Sequence, residues 1–267
     1  IMSPIQQMLL GAGGAGATKT YVDDVFSTYV YKGTGNSFSV NNGIDLAGEG
    51  GMTWFKYRTE TWAHALFDSE RGITKGLESH SNSGQYTVSG TALSSYNNNG
   101  FSVGSDTNGY IQTNNKDSVS WTFRKAPGFF DVVTWTGNGN QYDNSSRTIS
   151  HSLGSIPGCI MVKNLSATED WVVYHKSIGA TKYLRLNLNN GSSTSATIWA
   201  DTEPDASNFT IRNSARVNEN GDNYVAYVFA GGEEQGNTSV DFSGTDDRLQ
   251  FDSNSDVNFG TGDFTVE

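Results

Sequence analysis

With 267 residues, 35% of them hydrophobic and 12% aromatic, the chain can bury sizeable cores and has room for two domains. Lys and Arg number 17 against 28 Asp and Glu, a net charge of −11, which excludes a general nucleic-acid or anionic-membrane surface because both need basic patches. No run of ~18 apolar residues is present to make a helical membrane span, and the lone Cys159 excludes an intramolecular disulfide.

Residues 1–20 read as a docking peptide and its tether. Ser3 is placed to cap a short helix with Pro4 at its first position, and Ile5, Met8 and Leu9 then share one apolar face, with Leu10 beside them. A helix so short is marginal in water and orders only against a partner, which makes Ile5, Met8, Leu9 and Leu10 the candidate docking residues. The Gly/Ala run 11–17 follows as a flexible linker. It contains a literal G-x-G-x-x-G at Gly11, Gly13 and Gly16, but the strand before it and the helix after it that a dinucleotide site needs are missing, so no cofactor is expected.

Glycine is abundant (31) and proline sparse (4), and Asn, Ser and Thr crowd the segments between apolar runs, as in chains of short strands joined by turns. In a first domain, 21–130, strands are predicted at 25–31, 37–40, 52–58, 63–68, 84–88, 100–103 and 119–123. After the turn at Ala126-Pro127-Gly128, a second domain, 131–231, has predicted strands at 132–135, 147–151, 159–163, 171–175, 183–188, 209–212 and 224–229. Two such sets fit two β-sandwiches, an all-β fold. The remaining residues, 232–267, read as a linker and the opening strands of a third domain.

The two domains repeat one another. Tyr31-Lys32-Gly33-Thr34-Gly35-Asn36 returns as Trp135-Thr136-Gly137-Asn138-Gly139-Asn140, and Gly72-Ile73-Thr74-Lys75-Gly76-Leu77 as Gly179-Ala180-Thr181-Lys182-Tyr183-Leu184, at spacings of 104 and 107 residues. Weaker echoes keep the order, among them Ser120-Trp121-Thr122-Phe123 with Ala226-Tyr227-Val228-Phe229. A repeat this long exceeds a solenoid unit and can enclose its own core, so equivalent positions such as Trp121 and Tyr227, or Lys75 and Lys182, are expected in the same strand topology.

Few residues suggest chemistry. Asp68 and Glu70 share a face at a strand end, and a carboxylate pair is the kit of a glycosidase. The adjacent Arg71, and the replacement of the pair by His175 and Ser177 in the second repeat, favour a salt-bridged surface turn. Ser150-His151-Ser152 lacks a nucleophile elbow and leaves His151 a structural histidine. His64, His80 and His175 have no ligand spacing for zinc. Asp252, Asn254, Asp256 and Asp263 match a calcium loop in part, but Val257 stands where that loop needs glycine. Cys159 reads as an inert core thiol. Tyr29, Tyr31, Trp54, Trp121, Trp135, Trp171 and Tyr227 could stack on sugars, but most recur inside strands of both repeats, so packing is the favoured role. No catalytic or metal-binding residue is assigned, and no enzyme is expected.

Asp23-Asp24-Val25-Phe26-Ser27-Thr28-Tyr29, Gly43 to Gly51, Phe67-Asp68-Ser69-Glu70-Arg71-Gly72, Ser120 to Pro127 and Ile156-Pro157-Gly158-Cys159-Ile160 resemble a repeated domain of tail-fibre and other virion proteins of tailed phages, marine ones especially. The resemblance covers about residues 21–231. Asn258-Phe259-Gly260-Thr261-Gly262-Asp263-Phe264-Thr265 resembles the opening of laminin-G/concanavalin-A-like jelly rolls. Together these imply a virion structural protein, a tail fibre or adhesin whose N-terminus docks on a tail adaptor or capsid and whose distal region binds a host surface glycan. The alternatives are a capsid-decorating protein, or a tail spike with a depolymerase in an absent C-terminal part. The resemblance also implies a homo-oligomer, a trimer as in fibres of this plan, with no nucleic-acid partner and no membrane insertion.

Overall fold

The computed structural model describes residues 20–88, 92–106, 109–139 and 144–232. The docking candidates Ile5, Met8, Leu9 and Leu10, the tether, and the third-domain and calcium-like segments beyond 232 lie outside the described residues.

The described chain is all-β, with two one-turn helices at Val22–Val25 and Ala215–Asn218. The first half runs β1 (Phe26–Lys32), β2 (Phe38–Asn41), β3 (Gly51–Tyr57), β4 (Ala65–Asp68), β5 (Lys75–Gly76), β6 (Tyr86–Thr87), β7 (Leu93–Asn97), β8 (Gly100–Val103) and β9 (Asp117–Arg124). The second half runs β10 (Phe130–Thr136), β11 (Arg147–Ser150), β12 (Pro157–Asn164), β13 (Val172–His175), β14 (Lys182–Tyr183), β15 (Ser193–Thr194), β16 (Asn208–Ile211) and β17 (Asn223–Ala230). The four-stranded sheets have the orders β1-β9-β3-β4 and β10-β17-β12-β13. These are one order once β10, β17, β12 and β13 are matched to β1, β9, β3 and β4. Registers follow suit: Trp121 faces Trp54 and Thr28, and Tyr227 faces Met161 and Val132. Lys75 pairs with Thr87, and Lys182 with Thr194.

Alternation explains how the strands fill three cores. Successive side chains leave a strand on opposite faces, so a sheet covered on both sides reads as an unbroken apolar run. In β17, Tyr224, Ala226 and Val228 enter the second half's own core, beside Trp135, Ile160 and Phe209. Val225 and Tyr227 point the other way, into a shared core with Met161, Trp171 and Phe130 from the second half and Met52, Leu66 and Leu77 from the first. In β3, Phe55 points instead toward the first half's core, against Phe67, Phe101 and Val40. The four-stranded sheets therefore pack on each other, and the smaller β2-β8-β7 and β11-β16 sheets cover their outer faces. Each fully buried Phe, Leu, Val or Met contributes about 1.5–3 kcal/mol. All the described residues belong to one compact unit.

Polar straps reinforce the junction. Ala126 N–H donates to Phe130 O (2.9 Å), and Phe130 N–H to Ala126 O (3.1 Å), closing the turn between the halves. The Lys125 ammonium lies 2.7 Å from Glu70 Oε1 and 3.4 Å from Asp131 Oδ1. Lys163, buried in β12, donates to Asn82 O (3.0 Å) and Glu169 O (2.6 Å), and burial pulls its pKa down to about 8.

Two sequence expectations are corrected. Of the strand predicted at 183–188, Tyr183 remains in β14 and Leu184 makes a single bridge to Val173; beyond them Arg185 lies over the Tyr183 ring, 5.3 Å from its centroid, and pairs with Asp170. Strand β7 was hidden by its polar sequence, Leu93-Ser94-Ser95-Tyr96-Asn97.

The repeated glycine turns share one lock. Gln112 Oε1 accepts from Thr34 N–H (3.1 Å) and Gly35 N–H (3.0 Å), and Asn218 Oδ1 accepts from Asn138 N–H (3.0 Å). A Cβ on Gly33 would collide with Thr113 O, and one on Gly137 with Glu219 O. Gly33→Ala and Gly137→Ala are each expected to destabilise by about 1–3 kcal/mol, as overpacking does, measured as a lower urea midpoint.

Candidate functional site

The structure disperses most of the sequence candidates. Asp68 is a correction: it is fully buried, not part of a surface turn. Arg71 Nε lies 2.6 Å from its Oδ2, and the Tyr227 hydroxyl donates to the same oxygen at 2.8 Å. The remaining Arg71 donors reach Gln85 Oε1 (3.2 Å), Tyr227 Oη (3.0 Å) and Leu66 O (3.4 Å), so the group is a rivet between the halves. Glu70 points away to Lys125. His151 is buried with Nδ1 accepting from Leu153 N–H (3.3 Å), a structural role. Cys159 is half-buried, and burial pushes its thiol up to about 11, which keeps it protonated and inert. Of the seven aromatic candidates, Trp135, Trp171 and Tyr227 are core residues.

Two concave sites stand out among the described residues. A cleft of about 480 Å³ at the junction is lined by Glu70, Arg71, Lys75 and Gln85 of the first half and by Thr136 and Asn223 of the second. Its charged groups are already spent on protein partners: Arg71 on Asp68 and Tyr227, Glu70 on Lys125, and Lys75 on Thr87. The second cleft, about 360 Å³, lies wholly in the first half and is walled by aromatic rings.

This second cleft is built by three segments. Strand β4 begins at Ala65, and the polar stretch before it carries Trp62, which is 42% exposed and braced edge-on against Tyr57 (4.9 Å between centroids). The Lys116 ammonium sits 5.9 Å from the Trp62 ring centre and is paired with Glu60. In the same lining, Tyr86 from β6 and Tyr110 stack at 5.2 Å with 19° between their planes. Polar groups share the lining. His64 Nδ1 accepts from Trp54 Nε1–H (2.8 Å), which leaves Nε2 to carry the proton of the neutral ring. Burial, with Lys56 and His80 nearby, lowers the His64 pKa and keeps that ring neutral at pH 7. Glu78 is fixed through its carbonyl, which accepts from Trp171 Nε1–H at 2.9 Å. The Tyr86 hydroxyl is buried and has no hydrogen-bond partner among the described residues.

The second half closes the equivalent place. Phe55↔Ala65 matches Val162↔Val172, so Trp62 and Ala63 correspond to Glu169 and Asp170. The bridges Leu66↔Leu77 and Val173↔Leu184 match Glu78 to Arg185, and the locks Gln112 and Asn218 match Tyr110 to Arg216. These charges pair with one another: Arg185 with Asp170 at 3.3 Å, and Arg216 with Glu169 at 3.6 Å and Asp170 at 3.8 Å. The cross-strand pair Gly76↔Tyr86 becomes Tyr183↔Ser193, so the ring moves to the other strand. An added Cβ on Gly76 would strike the Tyr86 ring, so only glycine there leaves Tyr86 its place in the cleft wall.

Sequence reasoning missed Trp62, Tyr86 and Tyr110. The signal available was a tryptophan inside the polar stretch Arg58-Thr59-Glu60-Thr61-Trp62, outside any apolar run.

The family described as "Domain of unknown function (DUF7483)" matches residues 22–242. The chain belongs to the DUF7483 family. The DUF7483 match takes in both halves at once and therefore includes the shared core, the Asp68–Arg71–Tyr227 rivet and the aromatic cleft. No curated protein and no solved structure matches the chain.

Proposed function

We propose that this chain is a structural attachment protein of a tailed-phage virion, a tail fibre or related adhesin, carried by its N-terminal segment and presenting a rigid β body to the host surface. The observation that carries this reading is the open aromatic cleft on the first half, set on a β scaffold with buried cores, while the second half fills the same place with ion pairs. A rigid scaffold holding one preformed, ring-lined cleft is suited to recognition. The resemblance of Asp23–Tyr29, Phe67–Gly72 and Ser120–Pro127 to virion repeats points to the particle as its setting. Docking through Ile5, Met8, Leu9 and Leu10 to a tail adaptor or capsid, and assembly as a trimer, belong to the same proposal. Several weak sites on one particle raise avidity by orders of magnitude.

Labelling of purified particles with an antibody raised against residues 20–232 tests it. Label on tail fibres is the expected result; label on the capsid moves the assignment to decoration, and unlabelled particles overturn it. In the same particles, replacing Ile5, Met8 and Leu9 together by Ser is expected to leave a folded protein that is absent from the virion. Normal occupancy of that variant would place the anchor elsewhere.

A further inference from the structure

We infer that the cleft lined by Trp62, Tyr86 and Tyr110 is a binding site for an uncharged hexopyranose ring of a surface polysaccharide. This deepens the attachment reading and rests on it for its biological setting.

The walls come first. A pyranose presents a face of C–H groups that packs against an aromatic ring, and Trp62 offers a large exposed ring already held in place by Tyr57. The stacked tyrosines in the same lining add further aromatic surface. At about 360 Å³ the space admits one ring and part of its neighbour, near the lower end of ligand sites in general.

The polar groups then select among flat ligands. A sugar edge carries hydroxyls that both donate and accept, and the cleft supplies a donor in His64 Nε2–H and an acceptor in the Glu78 carboxylate. A purely aromatic ligand would leave these groups unpaired, a cost that a hydroxylated ring avoids.

Charge decides the rest. Glu78 lines the cleft, the nearby Lys116 is neutralised by Glu60, and the chain carries a net charge of −11. A uronic or sialic acid would meet the Glu78 carboxylate, whose one ion-pair contact among the described residues is His80 Nε2 at 3.7 Å, and this disfavours acidic sugars. The second half supplies an internal control, since its Glu169, Asp170, Arg185 and Arg216 occupy the matching positions as a closed ion-pair cluster.

Titration of the purified chain with glucose, galactose, mannose, N-acetylglucosamine and glucuronic acid, followed by tryptophan fluorescence and saturation-transfer NMR, tests the assignment. At least one neutral sugar is expected to saturate the signal with a Kd on the order of 1–10 mM, and glucuronic acid to bind at least about tenfold more weakly. Trp62→Ala is expected to weaken binding at least about tenfold with unchanged circular dichroism, because Trp62 is a surface residue. Arg216→Ala is expected to leave binding unchanged. Saturation by none of the neutral sugars, equal binding by Trp62→Ala, or preference for glucuronic acid overturns the assignment. Particle labelling decides the attachment reading separately, so either can fail alone.

Discussion

Asp68→Ala is expected to lower the unfolding free energy by about 3–5 kcal/mol, the cost of leaving a buried charge without its partner. Asp68 is completely buried, and the Arg71 guanidinium 2.6 Å away is almost equally enclosed, so no water can take over the lost contact. The Tyr227 hydroxyl, donating to Asp68 and accepting from Arg71, is left unbalanced as well. Replacing both charges with apolar groups, Asp68→Leu with Arg71→Met, is expected to recover most of the loss, since a buried ion pair and a packed hydrophobic pair are often of similar worth. Tyr227→Phe removes one hydroxyl and is expected to cost about 1–2 kcal/mol. Urea unfolding of the single and double variants measures the coupling directly, and a loss below about 1 kcal/mol for Asp68→Ala would falsify the rivet.

Alkaline unfolding is the second large effect, expected as one cooperative transition between about pH 10.5 and 12. Burial raises the pKa of Tyr31, Tyr57, Tyr86, Tyr96, Tyr174, Tyr224 and Tyr227 above the ordinary tyrosine value, that of Tyr57 to about 12. The unfolded chain loses these protons near pH 10, whereas the folded chain holds them. The stabilisation is therefore complete below pH 10 and is lost as pH rises toward the folded values. Each tyrosine removes about 1.4 kcal/mol per pH unit in that window, and several together exceed a net stability on the order of 10 kcal/mol within one to two units. Lys163 acts in the opposite sense: with its folded pKa lowered to about 8, stability rises with pH from there to the ordinary lysine value near 10.5. One lysine is outweighed by seven tyrosines above pH 10. Tyrosinate absorbance at ~295 nm should appear together with the loss of near-ultraviolet circular dichroism. Ionisation of all twelve tyrosines with tertiary signals intact, not of exposed ones such as Tyr21 and Tyr29 alone, would show that the seven hydroxyls are open to water.

Local sequence determined the class of this fold and much of its strand map. Short apolar runs separated by Gly, Asn and Ser turns can only pair as strands, and the observed strands at Gly100–Val103, Asp117–Arg124 and Asn223–Ala230 lie within two residues of those predicted. The repeated Gly33-Thr34-Gly35 and Gly137-Asn138-Gly139 mark turns fixed by a close backbone approach, which no other residue permits.

What lies over each strand was decided by the tertiary structure alone. Asp68 beside Arg71 reads as a surface turn until Tyr227, 159 residues away, closes over it. Val225 and Tyr227 read as one face of an ordinary half-buried strand until the facing sheet covers them. Trp62 gives no periodic signal, and the exchange of Gly76 and Tyr86 for Tyr183 and Ser193 shows only as two cross-strand pairs. Propensity and turn chemistry act between residues a few positions apart, so the sequence records them. Burial and cleft formation depend on which faces meet after the sheets have formed, and that contact joins residues from opposite halves of the chain.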